Sequence, residues 1–167
     1  MPITDTHVLA TLVAELHKLE RLGRTALDQL TTDDQVNHLL DADANSVALK
    51  VRRVAGNMRP RWTNFLPSEG EKPDRDRRHE FDQQVQWTRA RTREAWDAGW
   101  AHTFAALDAL TPADLTREVR IGGHAMTAFE AIVRAVSHYG QHVGQMLLLA
   151  RHLLGPAWKT PSIPRVR

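Results

Sequence analysis

"TAFEAIVRAVSHYGQHVGQMLLLARHLL", residues 127–154, places Phe129, Ile132, Val136, Tyr139, Val143, Met146, Leu147, Ala150 and Leu153 three or four positions apart. That interval lines one side of an α-helix, because 3.6 residues complete a turn. Gly155-Pro156 supplies the stop. Three further segments share the period. One runs from about Thr6 to Leu30 on a ladder of leucines, and a second from Asn45 or Ser46, either able to cap it, to about Phe65. Pro60 should kink or shorten the last turn of that second helix. The third spans about Glu80 to Leu110, with Trp96, Trp100, Phe104 and Leu107 in one row.

The intervening stretches read differently. "TTDDQVNHLLDADANS" (31–46) is polar enough to be a connection rather than a core element. "PSEGEKPDRDRRHE" (67–80) is a long loop between the second and third helices, of the kind that is functional or wrapped on the surface. "TREVRIGGHAM" is a short extended or turn segment pivoting on Gly122 and Gly123, and the tail "AWKTPSIPRVR" should lie extended over the body. With no convincing strand pattern, the expectation is an all-α, four-helix bundle forming one domain over residues 1–167.

Composition excludes several classes. The absence of cysteine removes disulfides, thiolate metal sites and cysteine nucleophiles. No run approaches a membrane span, and no basic region precedes the apolar positions at the N-terminus, so a cytoplasmic protein without a signal peptide is expected. Net charge is only +2, and a small surplus of arginines sets the pI near 9.4. In "WTRARTRE" (87–94), Arg89 and Arg93 share a helix face while Arg91 lies around from them, which describes a solvated surface better than a phosphate stripe. No nucleic-acid or membrane partner is expected. The tryptophans Trp62, Trp87, Trp96 and Trp100 are expected to fill the core or a subunit contact.

His138 and His142 stand four apart at the edge of the apolar stripe, with Ala131 and Ala135 leaving space beside them. The spacing sets two imidazoles side by side, as when one helix gives two ligands to one ion. It equally suits two edge residues hydrogen-bonded to a neighbouring helix.

Two blocks carry a resemblance: "NSVALKVRRVAGNMRPRWTNFLPSEGEKPDRDRRHEF" at 45–81 and "HYGQHVGQMLLLARHLLGPAWKTPSIP" at 138–164. They resemble the DinB/YfiT-like superfamily of four-helix bundles, closest to a poorly characterised branch with the same blocks in the same order. The resemblance implies a homodimer and a divalent metal, zinc or nickel, held by three histidines. His138 and His142 match two of these positions. The third, on the second helix, is occupied here by Arg53.

Arginine has no lone pair to give. Two unit charges 4 Å apart repel by about 4 kcal/mol at an effective dielectric of 20, and a dication facing Arg53 doubles that. The repulsion offsets most of the roughly 10–16 kcal/mol that a structural zinc site provides. Asn57, one turn after Arg53, and His102, near the aromatic row, are the neighbours that could fill in. An inward Arg53 would instead make an anion-recognising cavity; an outward one would be an ordinary surface arginine. The expected function is binding of a small, anionic molecule at a degenerate metal site. The alternative the resemblance supplies is a metal-dependent thiol transferase or hydrolase.

Overall fold

Thr127 and Glu130 close a reciprocal capping box at the start of the last long helix in the computed structural model, which describes residues 3–66, 68–72 and 75–162. That helix, α6 (Ala128–Leu154), ends where Gly155 turns at φ 51°. The remaining helices are α1 (Asp5–Gln29), α2 (Asp33–Asn37), α3 (Val47–Trp62), α4 (Arg77–Phe81) and α5 (Arg89–Asp108). Each begins on a side-chain cap: Thr4, Thr32, Ser46, Asp76 and Thr88 accept from backbone N–H groups three residues on.

The four long helices pair off, α1 on α6 and α3 on α5, around one continuous core. Trp62, Trp96, Trp100, Tyr139, Leu16 and Met146 are all fully buried in it. Two close approaches set the packing. A Cβ at Gly23 would lie 2.3 Å from the Trp96 ring, and one at Gly99 would lie 2.9 Å from Met58 Sδ. Among the described residues, no helix is long and apolar enough to cross a membrane.

Four expectations need correction. The third helix does not run unbroken from Glu80: the chain leaves helical geometry between α4 and α5. Remote side chains take the backbone groups there. The Arg52 guanidinium donates to the carbonyls of Glu80, Asp82 and Val85, and Asn37 both accepts from Trp87 N–H and donates to its C=O. The 31–46 connection is not outside the core, because it holds α2 and buries Val36 completely. α3 stops at Trp62 rather than Phe65, with Asn64 at φ 50° just beyond Pro60.

Lastly, two strands do form. β1 (Glu118–Ile121) pairs antiparallel with β2 (His124–Thr127), with Ile121 opposite His124. Gly122 and Gly123 turn the hairpin at φ 62° and 78°, a conformation that favours glycine at both positions. The tail is tied to α1 by reciprocal bonds between Lys159 and the Gln29 amide, and its last five residues lie outside the described part. Pro67, Pro73 and Asp74 of the 67–80 loop also lie outside it.

Candidate functional site

The first block acquires a physical meaning residue by residue. Gly56 has no Cβ because one would sit 2.4 Å from Glu80 Oε1; the bare backbone lets that carboxylate close against α3. There Glu80 receives Arg75 in two parallel bonds of 2.8 Å. Asn57 Oδ1 accepts from the buried Tyr139 hydroxyl at 3.2 Å, and that hydroxyl accepts from Trp62 Nε1 at 3.0 Å. Burial pushes the Tyr139 phenol up to about 12, so it stays a neutral link between α3 and α6.

The 68–72 segment is held by the hairpin. Glu69 carboxylate oxygens accept from the N–H groups of Gly122 and Gly123 at 2.8 and 3.2 Å, and Gly70 N–H donates to Arg120 C=O at 2.7 Å. This anchoring delivers Glu71 to a cluster of arginines. Its carboxylate accepts from Arg75 at 3.2 Å and Arg77 at 2.7 Å, and stands 3.8 Å from Arg61. Arg75 thus pairs with Glu71 and Glu80, and Arg77 with Glu71.

Between α3, α6 and this segment lies a cavity of about 240 Å³. Arg53, Asn57, Arg61, Arg134, His138 and His142 line it, together with Glu71, Arg75, Arg77 and Phe81. Arg53 therefore shares a wall with the histidine pair, its guanidinium carbon 4.1 Å from the centre of the Phe81 ring. His102 is not part of it. That side chain is exposed and bonds Thr63 Oγ1 at 2.7 Å. A larger cavity of about 450 Å³ lies across Arg75, against Ala55, Gly56, Pro60, His79 and Trp87, and is not lined by His138 or His142.

His138 and His142 point their Nε2 atoms at each other across 3.2 Å. One Nε2 carries the proton and donates; the other accepts. Burial first, then the neighbouring His138, Arg53 and Lys50, pushes His142 down to about 4. His138 is lowered too, by burial and then by Arg61, Arg53, Arg75 and Arg134. The pair is uncharged at neutral pH.

Arg61 is the most buried arginine of the cavity and is weakly paired. It is 6% exposed, its Nε finds no hydrogen-bond partner, and among the described residues its carboxylate contact is the one with Glu71 at 3.8 Å. Burial is the strongest influence on it and lowers its pKa. Among the described residues, no carboxylate pairs with Arg53 or Arg134.

The residues present do not fit a divalent metal. Two imidazoles are available, but the Asn57 oxygen is taken by Tyr139. Among the described residues, no group of three or more His, Cys, Asp or Glu side chains could hold a metal ion. Five guanidinium groups around the same space oppose a cation.

Fold and cavity define a helical protein with a small, strongly cationic pocket built beside a neutral histidine pair. The family model described as "Protein of unknown function (DUF1572)" matches residues 4–167, and the chain belongs to that DinB-like family. No curated protein matches it.

Proposed function

We propose that this protein binds a small anionic molecule in the cavity between α3 and α6, with His138 and His142 the remainder of a degenerate metal site. One observation carries this reading: Arg61 is buried at the cavity wall with an unpaired Nε, and among the described residues the carboxylate it meets, Glu71, stands 3.8 Å away. A buried charge paired only at that distance is costly, and a ligand anion is the partner that would offset it. The cavity volume lies below the usual 300–1,000 Å³ of drug-sized sites, which favours a small ligand. We place the chain in the branch marked by its two sequence blocks. As the resemblance implies, it is expected to act as a cytoplasmic homodimer.

The second reading, a divalent-metal-dependent thiol transferase or hydrolase, has one feature in its favour. The 3.2 Å separation of the two Nε2 atoms is close to that of two ligands on one tetrahedral ion. Arg53→His separates the readings. The variant should carry zinc or nickel at one equivalent by elemental analysis after purification without chelators, while the wild type carries less than about a tenth of that. Metal at one equivalent in both proteins would contradict the degenerate-site reading.

A further inference from the structure

The charges around the cavity specify more than a negative ligand. Among the described residues, Glu71 and Glu80 are set against Arg53, Arg61, Arg75, Arg77 and Arg134, an excess of three positive charges. A monoanion would leave two of them, a dianion one. The donors also arrive from three directions: Arg53 and Arg61 from α3, Arg75 and Arg77 from the segment ending in α4, and Arg134 from α6. A planar carboxylate offers two oxygens in one plane, whereas a tetrahedral oxyanion offers oxygens toward every wall.

Glu71 completes the argument. It is the one carboxylate lining the cavity among the described residues, and the hairpin clamp on Glu69 fixes the main chain that presents it. Its oxygens occupy guanidinium donors of Arg75 and Arg77 and face Arg61. An incoming oxyanion must share those donors with it. Resting on the anion-binding reading above, we infer that the ligand is a phosphate dianion, free or as the end group of a small phosphomonoester, and that Glu71 is its built-in competitor.

The experiment is calorimetric titration at neutral pH and constant ionic strength with inorganic phosphate, methyl phosphate, acetate and malonate. Inorganic phosphate or methyl phosphate should bind at one equivalent, at least about tenfold tighter than either carboxylate. The tighter of the two identifies the source, free phosphate or a monoester. Glu71→Gln should tighten phosphate binding about tenfold, because it removes the competing charge within 4 Å of Arg61.

Should Glu71→Gln fail to fold, Arg134→Gln, on the exposed side of α6, should weaken phosphate about tenfold and leave the circular dichroism unchanged. Malonate or acetate binding tighter than phosphate would overturn the phosphate assignment while leaving the anion cavity standing. Unchanged or weaker phosphate binding in Glu71→Gln would overturn the competitor role. Binding by none of the four would sink the anion reading itself.

Discussion

Arg61→Met should melt about 2–16 °C higher than the wild type in the absence of ligand. The reason is the mismatch between burial and pairing. Arg61 is 6% exposed, contributes no hydrogen bond through Nε, and meets Glu71 only at 3.8 Å. Replacing buried ionic groups by apolar side chains of similar volume is neutral or stabilising by about 1–4 kcal/mol, provided no partner charge is left uncompensated. For a chain of this length, each kcal/mol moves the midpoint by about 2–4 °C. Glu71 keeps Arg75 and Arg77 in the variant, so no new buried charge is orphaned. The same substitution should abolish anion binding. A residue that costs stability and is needed for binding belongs to a ligand site. A fall in melting temperature would instead make Arg61 a structural ion-pair member.

Acid should begin to destabilise the fold from about pH 6.5, before most carboxylates titrate. His142 in the folded chain is pushed down to about 4, against about 6.5 for an unperturbed imidazole. Between those values the unfolded chain binds the proton and the folded chain refuses it. Stability is therefore fully present above about pH 6.5 and is lost as pH falls toward 4, on the order of 2–3 kcal/mol from this residue. His138, lowered in the same direction, adds to the slope. Urea unfolding at pH 7.5 and 4.5 reads the loss, and His142→Gln should flatten it. Parallel acid limbs for the wild type and the variant would mean that the pair is already solvated in the folded state.

How much of this was legible beforehand follows from which forces act locally. The ladders of α1, α3 and α6 are written at the helical period, and their caps, Thr4, Ser46 and Thr127, are local features as well. The break between α4 and α5 was hidden, because the groups that hold it, Arg52 and Asn37, lie far back in the sequence. The hairpin escaped for a related reason. Its strands are four residues each, too short for a period, and only Gly122-Gly123 announced the turn.

At the site, spacing and resemblance pointed to His138, His142 and the position of Arg53 but left open whether Arg53 faces inward; the cavity is lined by all three together with Asn57. His102 could not be placed by its nearness to the aromatic row: Thr63 at the end of α3 holds it elsewhere. Arg61, Glu71 and Arg134 were missed. The available signal was the run of basic residues in "RRVAGNMRPR" facing "GEKP", but charge runs mostly mark solvated surface, and burial is what distinguishes Arg61.

The central claim is that this cavity selects an anion where a related site would select a metal. Equilibrium dialysis of the wild-type chain against labelled phosphate and, in a separate cell, against zinc tests it most directly. The account predicts one equivalent of phosphate retained and zinc well below one equivalent. One zinc per chain with no phosphate retained would contradict it, and would mean that the histidine pair finds its third ligand despite Arg53.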